Sequence, residues 1–108
     1  MVAIIEQCFD GAFLSYWCAP ELRPTKYVLR TFLKILKLAL ETYPCIIGIT
    51  KQKHLIETHL KLGYTLRGDL PEFWAGESAY ILVLTRESFQ QTLKTYGRLL
   101  KENNSGQK

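Results

Sequence analysis

Apolar residues along this chain recur with two different periods, and each change of period marks a new element. The runs Val2 to Phe9 and Ala12 to Ala19 are rich in β-branched and aromatic residues. They flank Asp10-Gly11, a pair whose tolerance of positive φ makes it a strong hairpin signal, so the chain is expected to open as a β-hairpin. From Thr25 to Thr42 the spacing becomes helical, with Leu29, Phe32, Leu33, Leu36 and Leu40 recurring on one face. Pro24 suits the first turn of that helix and Tyr43-Pro44 ends it. Lys26, Arg30, Lys34 and Lys37 form a narrow basic stripe, while Val28, Ile35, Leu38 and Ala39 widen the apolar arc, which implies packing on more than one side. The short apolar run Cys45 to Thr50 then reads as a buried strand. Joined across a helix, it is expected to lie parallel to the strand before it, in a right-handed crossover.

Gln52 to Leu62 gives a second, shorter helix, and Gly63 falls where a helix end calls for positive φ. Tyr64 to Gly68 resumes as a strand. A loop carrying Pro71, Phe73, Trp74 and Gly76 is expected before the next strand, Ser78 to Leu84. The last helix starts at Thr85 as N-cap and keeps Phe89, Leu93, Tyr96 and Leu100 on one face despite Gly97. The predicted order is β-β-α-β-α-β-β-α. It makes one α/β (α+β) domain over residues 1–101, a mixed central sheet of about five strands with three helices, followed by a disordered polar tail at 102–108.

Composition narrows the chemistry. With 108 residues, 47% hydrophobic and 22% charged, the chain reads as a single globular domain, not a disordered one. Three cysteines, Cys8, Cys18 and Cys45, are an odd number without C-x-x-C spacing, which points to buried free thiols in a reducing cytoplasm and away from metal or disulfide roles. The opening residues lack a basic region ahead of an apolar run, so neither a signal peptide nor a membrane span is expected. The net charge of +4 fits an acidic partner. Nucleic acid is disfavoured, because the aromatic residues are not interleaved with the basic ones. H-E-x-x-H, P-loop and Ser/His/Asp patterns are absent from the sequence, which leaves hydrolase, metalloenzyme and nucleotide-phosphate readings without support.

The most telling stretch is Glu57-Thr58-His59-Leu60-Lys61-Leu62-Gly63-Tyr64-Thr65-Leu66-Arg67-Gly68-Asp69-Leu70-Pro71, a helix that stops on glycine and turns straight into a strand. It resembles the Tyr-x-x-x-Gly-Phe signature of the GCN5-related N-acetyltransferase (GNAT) family, with Tyr64 in place of the Phe. The segment Gly68 to Tyr80, with its Leu-Pro pair and aromatics before a strand, is similar to the same family. The likeness covers roughly residues 2–85 and the second half of that family's fold, in the style of short members carried by bacteriophages.

The resemblance implies acetyl transfer from acetyl-CoA to an amine by direct attack. It sets CoA in a cleft between the strands Ala12–Ala19 and Cys45–Thr50. Arg23, Thr25, Lys26 and Tyr27 would stand at the pyrophosphate, with Gln52 as a further cofactor contact. His59 stands where the family has the Tyr that protonates the leaving thiolate. On its own helix it shares the apolar arc with Leu55, Ile56 and Leu62, a place where a lone histidine is more often a packing residue than a catalyst. Glu6 is the candidate base. The stretch Arg23-Pro24-Thr25-Lys26-Tyr27-Val28 departs from the family's glycine-rich loop: only the arginine agrees, Lys26 and Val28 fill glycine positions, and Pro24 removes an N–H donor. An inactive scaffold with a binding or assembly role is therefore the alternative. Either way, a second copy or another protein is expected to complete the missing half of the fold.

Overall fold

A computed structural model describes residues 2–17 and 26–105. The opening run forms β1 (Val2–Cys8), paired antiparallel with β2 (Gly11–Trp17) from Val2↔Trp17 to Cys8↔Gly11. The turn is Phe9-Asp10, one residue earlier than expected. Gly11 serves the strand instead, since a Cβ there would meet Cys45 Sγ at 2.9 Å and the Cys45 carbonyl oxygen at 3.2 Å. Only glycine lets the two strands come that close. Phe9 takes the positive φ, 55°, and its side chain stands in solvent.

Helix α1 (Lys26–Thr42) carries the chain over to β3 (Cys45–Thr50), which lies parallel to β2 as the crossover requires. Next come α2 (Lys53–Lys61), β4 (Thr65–Trp74), β5 (Glu77–Thr85) and α3 (Arg86–Ser105). The result is a mixed five-stranded sheet, in the order β1-β2-β3-β5-β4, with three helices in the sequence order read above. The segment expected to be a loop is a strand: β4 runs on through Pro71 and Phe73 to Trp74 and joins β5 by a turn at Ala75-Gly76, where φ is 54° and 77°. Pro71 fits because β4 is an edge strand, whose outward N–H groups need no partner, and because the register shifts between Leu70 and Trp74. Helix α3 reaches Ser105, within the stretch expected to be tail.

All three helices share one face of the sheet. Leu14 of β2, Ile46 of β3, and Leu82 and Leu84 of β5 form one cluster with Phe32, Leu33, Leu36 and Leu40 of α1 and Phe89 of α3, and Ile56 of α2 packs against it. Helix α1 thus meets both the sheet and α3, leaving Leu38 on the surface. Arg86 Nε donates to the Leu40 carbonyl oxygen at 2.6 Å, capping the end of α1, which has no basic residue in its own last turn. The alternate strand residues Phe13, Ile47, Ile49, Ile81 and Val83 point to the opposite face and take no part in the cluster. No described helix covers that face. Among the described residues no helix is long and apolar enough to cross a membrane.

Two helix ends fix the geometry. At the start of α3 the Ser88 N–H donates to Thr85 Oγ1 and the Thr85 N–H to Ser88 Oγ, both at 3.1 Å, a reciprocal capping box with Thr85 as the expected N-cap. At the end of α2 the Tyr64 N–H bonds the His59 carbonyl at 3.0 Å and the Gly63 N–H bonds the Leu60 carbonyl at 3.1 Å. That is a Schellman motif, and Gly63 supplies its left-handed residue with φ of 100°. Thr92 Oγ1 of α3 donates to the Leu62 carbonyl, so α3 seals the same end.

The glycines make opposite predictions. A Cβ on Gly63 would lie 2.5 Å from Thr92 Oγ1 and 3.0 Å from the Ser88 carbonyl oxygen, at a φ that side chains avoid. Gly63→Ala should cost about 2–5 kcal/mol by denaturant titration, from backbone strain and overpacking together. A Cβ on helical Gly97 meets only Leu93 Cβ at 4.0 Å, so Gly97→Ala should gain about 0.5–1 kcal/mol.

Candidate functional site

The site lies where the two parallel strands part. β2 and β3 pair only at Ala12↔Ile46 and Phe13↔Ile47, although β2 continues to Trp17 and β3 to Thr50. Beyond Phe13 and Ile47 the facing main-chain edges share no ladder. Helices α1 and α2 both begin at this end of the strands, with no acidic residue in either first turn, so two positive helix ends face the opening without a carboxylate of their own.

Three rings occupy the helix side of the opening. Tyr16 follows Ala12 and Leu14 on the core face of β2 and packs on Phe32 of α1, with centroids 4.6 Å apart. His59 is buried on α2, while His54 is exposed. The Schellman turn brings Tyr64 back against His59, edge to face at 4.9 Å, the side-chain contact that usually accompanies this motif. The Tyr64 ring lies over Gly48 of β3, where an added Cβ would meet it at an ordinary 3.8 Å.

The hydrogen bonds fix the state of the imidazole. His59 Nδ1 lies 2.6 Å from the Leu55 carbonyl oxygen, which can only accept, so Nδ1 carries a proton. In the neutral ring Nε2 is then a lone-pair acceptor, and Tyr16 Oη, 3.2 Å away, donates to it. Burial pushes the His59 pKa below its ordinary 6.5 and outweighs the Leu55 hydrogen bond, which pulls it up. Burial, reinforced by nearby Tyr16, pushes the Tyr64 hydroxyl well above the ordinary tyrosine range. The cluster is therefore neutral at physiological pH: a base whose one lone pair accepts from a half-exposed phenol.

The other sequence candidates scatter. Glu6 is exposed on β1 opposite Phe13, on the sheet face away from Tyr16, and is not brought to His59. Gln52 is exposed at the N-cap of α2, its N–H bonded to Thr50 Oγ1 at 3.1 Å. Arg23 and Thr25 lie outside the described residues. Lys26 and Tyr27 open α1, but their side chains also fall outside the description. Arg30, one turn further along, holds its Nε buried without a hydrogen-bond partner. Cys8 and Cys45 are half-buried free thiols, and Cys18 lies outside the described residues. A hollow of about 200 Å³ between α1 and α3 involves Lys37, Arg86 and Phe89, and none of the three rings. Among the described residues no His/Cys/Asp/Glu group could hold a metal.

No protein-family model matches this chain, and no curated protein matches it in sequence. Sequence reasoning missed Tyr16, whose signal was the alternation Ala12, Leu14, Tyr16: a core-facing series that ends in a residue with a polar tip.

His59 should make stability fall on the acid side. Below pH 6.5, the ordinary value, the unfolded chain takes up a proton that the folded site resists. The contribution is present above that pH and is lost as pH drops towards the depressed folded value. Melting temperature against pH should show this fall in the wild type, and His59→Gln should lack the part due to His59.

Proposed function

We propose that the chain is an acyl-CoA-dependent N-acyltransferase, with the parting of β2 and β3 as its thioester cleft. The observation that carries this reading is the Tyr16–His59 hydrogen bond in the opening between two parallel strands. That opening is where the GNAT resemblance sets CoA. The two helix ends and the net charge of +4 suit a polyphosphate, with Lys26 and Arg30 on α1 as the basic residues nearest its start. Acetyl-CoA would supply the acyl group as a thioester open to direct attack by an amine. The cytoplasm, where acetyl-CoA is at hand and thiols stay reduced, is the compartment this reading requires.

Proton handling follows from the pair. Tyr16 Oη, already donating to His59 Nε2, passes its proton to the imidazole as it accepts one from the attacking nitrogen. Burial makes the imidazolium a stronger acid than an ordinary histidine, so His59 returns the proton to Tyr16, which hands it to the departing sulfur. The net transfer is one proton from nitrogen to sulfur, with both residues restored. His59 thus acts through Tyr16, and the roles of acid and base belong to one pair.

The binding or assembly alternative is favoured by the filled glycine positions at Lys26 and Val28 and by the helix-free sheet face. One titration separates the two. Acetyl-CoA at 100 times its Kd should add about 2.7 kcal/mol of stability, and in assays with amine acceptors Tyr16→Phe should lower kcat by about 10²- to 10⁴-fold with KM for acetyl-CoA little changed. An unchanged melting temperature at millimolar acetyl-CoA would reject the acyltransferase and leave the assembly reading.

A further inference from the structure

The two edges of the sheet are built differently. β4, at one edge, carries Arg67, Asp69 and Glu72, a proline at 71, and two register irregularities, at Leu66/Gly68 and Leu70/Trp74. Each of these discourages an incoming strand. β1, at the other edge, is regular over its seven residues, with Glu6 as its single charge and no proline. Ile4 and Ile5, on opposite faces of β1, are 56% and 40% exposed.

The hairpin register determines what this edge offers. A two-residue turn makes Cys8 and Gly11 a hydrogen-bonded pair, and such pairs alternate along an antiparallel ladder. Val2, Ile4, Glu6 and Cys8 therefore bond inward to β2, while the N–H and C=O groups of Ala3, Ile5 and Gln7 point outward. These three are spaced evenly about Ile5.

We propose that β1 pairs antiparallel with β1 of a second copy, about a two-fold axis through Ile5. In that register Ile5 faces Ile5 of the partner, and Ala3 and Gln7 face each other's counterparts, so every outward group is used in three pairs of two bonds each. Charge selects this occupant over β4 of another copy: Glu6 falls opposite the partner's Ile4, not its Glu6, so no like charges oppose, whereas β4 would bring three charges and a proline to the seam. The axis runs perpendicular to the sheet. It joins the two sheets into one and sets the two helix-free faces side by side. An edge this short buries less than the ~800 Å² per partner of a standard interface, so the dimer is a reversible one. The proposal is independent of the acyltransferase reading, since Tyr16 and His59 take no part.

The test uses charge swaps at the axis. The wild-type chain should sediment as a dimer at tens of micromolar, with Ala3, Ile5 and Gln7 amides protected from exchange. Ile5→Lys and Ile5→Glu should each associate about tenfold more weakly or worse, because the like charges meet across the axis. An equimolar mixture of the two variants should restore the dimer, an outcome that only the Ile5-centred register gives and that also shows both variants to be folded. A monomeric wild type, single variants that stay dimeric, or folded variants whose mixture does not pair would each overturn the proposal.

Discussion

The left-handed turn at Gly63 is the constraint on which the rest of the molecule depends. It ends α2 with two main-chain bonds back into the helix, to His59 and Leu60, and so sets the angle at which the chain re-enters the sheet as β4. The same turn stacks Tyr64 against His59 and leaves the Leu62 carbonyl for Thr92 of α3. Helix, strand and closing helix thus meet at one residue without a side chain. The position of the imidazole follows from backbone geometry, not from loop flexibility.

Around that turn the protein holds a polar cluster in a mostly apolar wall. Phe32 covers one side and the sheet the other, yet each imidazole nitrogen has a partner. A buried polar group is tolerable on those terms, because its hydrogen bonds replace the ones water made. The low polarity that makes charge costly here is also what keeps His59 unprotonated and able to accept. The charge state of His59 and its acid-side cost to folding have the same cause.

Much of this was readable from residue order, and the exceptions have a common origin. The 3.6-residue spacing of Leu29, Phe32, Leu33, Leu36 and Leu40, the Thr85 cap and the Gly63 stop are local signals, and each element they predict exists. The crossover rule then forces β3 parallel to β2. Glycine has two uses, and at Gly11 the local pattern signals a turn where close approach to Cys45 is the real demand. Pro71 has the same ambiguity: a breaker in isolation, it is an ordinary edge residue once β4 lies at the margin of the sheet. Tyr16 and His59 are 43 positions apart. Their meeting depends on how α2 is set over the sheet, which no local pattern records. The inward-facing His59 was legible from its helix; its partner was not.

The two-pair junction between β2 and β3 has a mechanical meaning. β1 and β2 are bonded to each other along seven register pairs but to the rest of the sheet along two, at Ala12 and Phe13. The hairpin is thus a stiff leaf hinged near its turn, with Tyr16 far from the hinge, where a small rotation produces the largest displacement. Bending of the leaf would change the separation of Tyr16 from His59 by sliding Tyr16 across Phe32 of α1. The width of the opening and the Tyr16–His59 hydrogen bond are then a single coordinate, which a ligand held between the strands would fix.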